Sequence, residues 1–292
     1  MVAETWDYLS WLVKGMLYLG VAFVTGGLFC SYLLKRYSNL QHMLLKYITL
    51  GAGLGLVTSV LGFFVLIGSF SNSGLSGMWD SNYISLLINI PIGHAYMIRS
   101  ISFALILLLM IIKLSKARPI SNVEAIVIGL LILPILFSFS QLGHVTHLDW
   151  FGHLLLSLHV FAMSLWMGSL YPLWKTSTLI HGLPLKERMH VFGKIAAVIV
   201  AILATCGISI VLLLVQDFNT LLSTAYGQGF IIKILLVLSI LLLAAFNKWY
   251  FTPRLQDPKF AKQLSYAICL EMLLGLSILF TTGYITTVVG LE

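Results

Sequence analysis

Apolar residues fall in eight long runs, at about 8–34, 44–68, 95–112, 121–141, 153–174, 195–215, 229–247 and 264–286, joined by short polar connections. A bilayer core takes roughly 20 apolar residues per helix. Only helices and closed barrels satisfy their backbone polar groups in lipid. Each run is therefore read as a transmembrane helix. The predicted fold class is all-α: a polytopic membrane protein of eight spans, with residues 1–292 forming one integral membrane domain.

Composition agrees with that reading. Hydrophobic residues make up 59% of the 292 and charged residues 9%. A soluble domain carries about 25% charged residues, so this chain lacks the polar surface to cover a water-facing fold. Cys30, Cys206 and Cys269 are scattered through apolar runs with no CxxC, which argues against a disulfide framework or zinc ribbon. Glu4 and Asp7, rather than a basic stretch, precede the first run, so no cleaved signal peptide is expected.

The net charge of +7 raises the question of nucleic acid, and its distribution answers it. Fourteen of the 17 basic residues lie in one set of connections: Lys35, Arg36, Lys46, Lys113, Lys116, Arg118, Lys175, Lys186, Arg188, Lys194, Lys248, Arg254, Lys259 and Lys262. The opposite connections carry Glu4, Asp7, Asp80, Asp149, Asp217 and Glu292. By the positive-inside rule the basic side is cytoplasmic and both termini face outward, as in a multi-pass membrane protein. The expected partner of the charge is the lipid bilayer, with no nucleic acid. The remaining cations, Lys14, Arg99 and Lys233, lie inside runs toward their outer ends. Glu271 lies roughly two turns in from the cytoplasmic end of the last run. Charges within a span are functional candidates, against the alternatives of snorkelling to the headgroups or a structural carboxyl.

A faint repeat divides the chain into 1–142 and 143–292. Gln41-His42 before Lys46 parallels Met189-His190 before Lys194; Gly93 and Arg99 parallel Gly227 and Lys233; Gly26-Gly27 loosely parallels Gly168. Four spans separate the counterparts, so two four-helix halves in parallel orientation are expected, related by an axis along the membrane normal. The halves differ in their imidazoles: His94 faces Gln228 in the comparison, and His159 faces Tyr18.

Candidate chemistry follows the histidines. His42, His181 and His190 sit among cytoplasmic basic residues and read as interfacial side chains. His94, His144, His147, His153 and His159 all fall on the outer side. His159 heads a stripe with Met163 and Trp166, Met167 follows, and His94 has Met97 three residues on. Imidazole suits copper, zinc, iron and nickel, while thioethers favour copper(I). The expected cargo is therefore copper, with the five histidines as ligands and Met97, Met163 and Met167 as softer ones. Asp149 is suited to orient a ligand imidazole. The polar stretch 69–82, with Met78-Trp79-Asp80, reads as an outer loop, either solvated or a lid or partner contact. No phosphate loop, HExxH or GxSxG occurs, so a transporter is expected rather than an enzyme; without an ATP site it would be passive, ion-coupled or partner-driven.

The second half resembles the copper resistance protein D (CopD) family. Leu158-His159-Val160-Phe161-Ala162-Met163-Ser164-Leu165-Trp166-Met167-Gly168-Ser169-Leu170 is similar to that family's H…A…W.GG/S L helix. Thr224-Ala225-Tyr226-Gly227 followed by Lys233 is similar to its T.YG…K element. Ala244-Ala245-Phe246-Asn247-Lys248 with Pro253-Arg254-Leu255 resembles its A.N…P.L loop, and Glu271 with Gly275 its last-helix acid. The resemblance covers about 150–290, and the first half in topology only. It implies copper tolerance or uptake at the bacterial inner membrane beside a separate periplasmic CopC-type partner. By motif match it carries functional roles over to His159, Trp166, Tyr226, Gly227, Lys233 and Glu271. Apart from the resemblance, Arg99 and Lys233 are expected to support the path by positioning Tyr226 and helix ends or by repelling cations. Two rival readings remain open. One is a haem b-binding membrane oxidoreductase with outer histidines as axial ligands; the other is a metal-free scaffold for a periplasmic partner. A visible spectrum separates them.

Overall fold

A computed structural model of the chain describes residues 5–71, 73–116, 118–142, 146, 148–214 and 224–289. Among the described residues all regular structure is helical. The long helices are α1 (Thr5–Leu33), α2 (Ser38–Ser71), α4 (Pro91–Ser115), α5 (Asn122–Ser138), α6 (Trp150–Leu179), α7 (Leu183–Leu214), α8 (Ala225–Phe246) and α9 (Pro258–Tyr284). A short α3 (Ser81–Ile88) precedes α4. Eight helices are long and apolar enough to cross a membrane, matching the eight runs one for one. The chain is an all-α polytopic membrane protein.

Helix ends are set by local chemistry that hydropathy does not register. Ser121 and Glu124 form a reciprocal capping box at the start of α5, satisfying two of its otherwise orphaned N–H groups. Asp149, Thr224 and Asp257 accept backbone N–H bonds at the starts of α6, α8 and α9. Proline opens α4 and α9, where its missing N–H costs nothing. The 34 residues of α2 reach about 51 Å at 1.5 Å per residue, well past a hydrocarbon core of about 30 Å. The apolar run at 44–68 therefore marks only the lipid-immersed part of a longer helix.

The described residues of 69–82 carry local structure while staying largely exposed. A 3-10 turn spans Gly74–Trp79, and the Asp80 side chain caps α3 by accepting from the Asn82 and Tyr83 N–H groups. Trp79 folds back so that its ring lies 4.6 Å from that of Phe64 on α2.

α1 and α6 run through the middle of the bundle. α1 packs on α2, α6 and α9, and α6 packs on α1, α7 and α9. Glycine allows the closest approaches. A β-carbon on Gly26 would lie 2.6 Å from the Gly168 carbonyl oxygen, so the two backbones meet directly there. The Tyr47 hydroxyl donates to that same carbonyl at 3.1 Å. Gly26 and Gly168 are the pair that the sequence comparison places as counterparts. Between α1 and α2, Gly20 faces Gly55 in the same manner. The buried apolar side chains form two clusters. One gathers Leu17, Val21, Phe103, Ile106, Ile128 and Ile135 from α1, α4 and α5 with α2. The other gathers Trp166, Leu170, Met189, Ile199, Ile240 and Ile268 from α6 to α9 with the basic ends of α1 and α2.

Candidate functional site

His144 and His147 lie outside the described residues. The other three of the five candidate histidines occupy different settings. His94 is exposed in the first turn of α4, and Met97 one turn on is 38% exposed. Gly93 beside it is required by close approach, because a β-carbon there would strike the Leu87 carbonyl at the end of α3. His153, in the first turn of α6, has both ring nitrogens engaged. Nε2 lies 3.1 Å from the Leu148 carbonyl, which can only accept. Nδ1 then accepts from Gln141 Nε2 at 3.3 Å; Ser140 Oγ lies 3.1 Å away but donates its proton to the Phe137 carbonyl. Among the described residues, no three His, Cys, Asp or Glu side chains gather where they could share a metal ion. Asp149 Oδ1 accepts from the Gly152 N–H at the start of α6.

His159 is different. Its Nδ1 lies 3.1 Å from the Leu203 carbonyl of α7. Because a carbonyl only accepts, Nδ1 carries the proton and Nε2 keeps its lone pair. This is the tautomer in which a backbone-anchored imidazole presents Nε2 to a metal. Gly207 makes room for the ring, since a β-carbon there would lie 3.1 Å from His159 Cε1. Lys233 of α8 is within electrostatic reach. Of the methionines, Met163 packs toward the first apolar cluster. Met167 lays its thioether on Gly275 of α9.

Arg99 does not snorkel. It is 1% exposed, its Nε donates to Ser138 Oγ at 2.9 Å, and its guanidinium lies over the rings of Phe139 (4.9 Å) and Tyr96 (5.2 Å). No carboxylate pairs with it among the described residues, and Nη2 is buried without a hydrogen-bond partner. Lys14 donates to Thr286 Oγ1 at 2.9 Å, tying α1 to the turn after α9. Tyr226 is half-buried in the first turn of α8, next to Gly227, whose N–H is held by the Thr224 side chain at 3.1 Å.

The second polar site lies toward the basic end, and sequence marked its members only separately. α9 begins at Pro258 rather than near 264. Glu271 is therefore about 20 Å along the helix and near its middle, about two turns past the start of the apolar run. Its Oε1 accepts from Asn247 Nδ2 at 2.9 Å. Asn247 opens a π turn over Asn247–Phe251, in which the Thr252 N–H and Oγ1 both bond to the Asn247 carbonyl. Such turns recur at functional sites. Glu271 and Asn247 line a cavity of about 240 Å³ with Trp166 of α6, Met189 and Gly193 of α7, and Lys248. Trp166, Asn247 and Glu271 belong to three separate stretches of the family resemblance, so folding joins what the chain separates. A larger cavity of about 800 Å³, bordered by Thr25, Phe29, Lys35, His42, Ile132 and Phe161, opens between α1, α2, α5 and α6.

A family model described as copper resistance protein D-like, N-terminal domain matches residues 5–152. A second, described as copper resistance protein D, matches residues 186–285. The stretch between them holds most of α6, with His159 and Trp166. No curated protein and no solved structure matches the chain.

Proposed function

The chain belongs to the copper resistance protein D family, and from that premise we propose that it binds copper at its outward face and carries it across the bacterial inner membrane. Its family implies a role in copper resistance or handling in the membrane. The finer reading rests above all on His159, whose Nδ1 bond to the Leu203 carbonyl leaves Nε2 free for a cation. His94 and His153, with His144 and His147 from the adjoining segment, are the proposed capture ligands at the mouth. Met97, Met163 and Met167 are the proposed softer ligands for transfer. In this reading the basic connections face the cytoplasm, both termini face outward, and a separate CopC-type protein delivers the ion.

For His153 to bind metal, its Nδ1 must exchange the Gln141 hydrogen bond for the ion. His159 needs no such exchange, so it is the stronger ligand of the two. Lys233 nearby disfavours a resident cation and favours its onward release. The test is copper binding to purified protein in lipid nanodiscs for wild type and the five single His→Ala variants, with copper tolerance of the host alongside. His159→Ala is expected to weaken binding by at least about tenfold, or roughly 1.4 kcal/mol, and to abolish the effect on tolerance. Unchanged affinity in all five variants refutes the site.

A further inference from the structure

Glu271 is 5% exposed in the middle of a transmembrane helix, and its single hydrogen bond comes from the Asn247 amide. Among the described residues the one ion pair is Lys113–Glu124, in the other half, so no cation neutralises Glu271. Of the residues lining its cavity from α6, α7, α8 and the turn after α8, Lys248 alone is charged, and Lys248 Nζ turns toward the Trp249 ring, 5.9 Å away. A bare carboxylate in such a place carries a desolvation cost of several kcal/mol.

Asn247 supplies what an ion-exchanging carboxyl needs. It is 93% buried, being 7% exposed, and its Oδ1 has no hydrogen-bond partner. An amide offers both a donor and an acceptor, and its two ends interchange by a half-turn. With Glu271 ionised, Nδ2 donates to the carboxylate. With Glu271 neutral, the acid O–H donates to Oδ1, which is otherwise orphaned. A single side chain thus satisfies both states, and the cavity beside the pair is bordered by Lys248 and the exposed Trp249 of the basic end.

We propose that Glu271 and Asn247 form a proton-binding site, loaded from the cytoplasmic side through this cavity. The step is –COO⁻ + H⁺ → –COOH on Glu271, with no other bond made or broken. Its existence is independent of the copper reading; its use as the ion-coupled step of transport rests on that reading.

The experiment uses copper-free full-length protein in nanodiscs and infrared difference spectra between alkaline and acidic buffer. A protonating-carboxyl C=O band is expected in wild type. It should vanish in Glu271→Gln and change frequency in Asn247→Leu, which removes both amide partners. In deuterated buffer it should shift promptly, and Gly193→Leu should slow that shift by about tenfold. A β-carbon at Gly193 meets only the Lys248 stem at 3.5 Å, so the variant fills the cavity without disturbing backbone. A full-amplitude band in Glu271→Gln, an unmoved band in Asn247→Leu, or a band inert to deuterium overturns the proposal. If the Glu271→Gln protein does not fold, the Asn247→Leu and Gly193→Leu responses decide. If the band behaves as stated while copper binding is indifferent to every histidine, the transport reading falls and the proton site stands.

Discussion

Gly168→Ala tests whether the bundle depends on the backbone contact between α1 and α6. The new β-carbon would lie 2.6 Å from the Ala22 carbonyl carbon and 3.0 Å from Gly26 Cα, and these are backbone atoms that cannot rotate away. Ordinary carbon contacts are about 3.5–4.0 Å, so the helices must part by about 1 Å. A gap of that size forfeits a quarter to a half of each contact's well, and a seam of about 50 contacts at 0.1–0.2 kcal/mol loses about 2–3 kcal/mol. The parting also breaks the Tyr47 hydroxyl bond to the Gly168 carbonyl, costing about 1 kcal/mol more. The sum, about 3–4 kcal/mol, lowers the folded-to-unfolded ratio on the order of 150- to 900-fold. Unfolding in mixed micelles, followed by tryptophan fluorescence, measures it. Gly129→Ala is the control, because a β-carbon there meets nothing within 4 Å. That variant should gain up to about 1 kcal/mol from lower chain entropy in the unfolded state. A loss below about 0.5 kcal/mol for Gly168→Ala would show that the crossing is looser than described and that the reasoning fails.

Three further outcomes follow from side chains already placed. Arg99→Met should leave stability unchanged or raise it, since a buried charge without a carboxylate is replaced by an apolar chain of similar reach; loss of copper tolerance in that stable variant assigns Arg99 to function, and full tolerance assigns it to packing. Arg99→Lys should lose about 1–2 kcal/mol in the same unfolding assay, because an ammonium cannot stack flat on Phe139 and Tyr96. Asp149→Ala should destabilise by about 1 kcal/mol through the lost cap of α6, whereas Asp149→Asn should not; a drop in copper affinity for Asp149→Asn would support the imidazole-orienting role.

Span number is legible because an apolar run of this length has a single solution in lipid, and that solution requires no tertiary knowledge. Span ends are less legible. Ser38, Asn39 and Gln41 are polar yet helical, continuing α2 before its apolar run. α3 depends on a cap from Asp80 that hydropathy ignores. Among functional residues, Glu271 stands out as an acid in an apolar run, and Trp166 and Asn247 stand out only through family likeness. That the three share a cavity is invisible along the chain: Asn247 and Glu271 are 24 residues apart on different helices. The hydrogen bonds that distinguish His153 from His159 are equally hidden. Their partners, Ser140, Gln141 and Leu203, have no pattern linking them to a histidine until the helices are packed.

The two polar sites occupy the same, less tightly joined part of the bundle. α1 and α2 interlock through Gly20, Gly51 and Gly55, and Phe103 of α4 seats on Gly55, so the first half has little freedom to slide. In the second half, α8 buries only Gly227 and Ile240 of its 22 residues, and among the described residues α7 and α8 scarcely approach each other. Closely packed interfaces resist continuous deformation, so any rearrangement concentrates where packing is sparse. α7 contributes Leu203, which anchors His159, and Gly193, which borders the Glu271 cavity. α8 contributes Lys233 beside the first site, and its terminal turn contributes Asn247 to the second. His159 and Trp166, seven residues apart on α6, set the two sites about 10 Å apart along that helix. A shift of α7 against α8 therefore alters both sites at once. The proposed ion capture at His159 and the proposed protonation of Glu271 are coupled if that shift is a two-state motion.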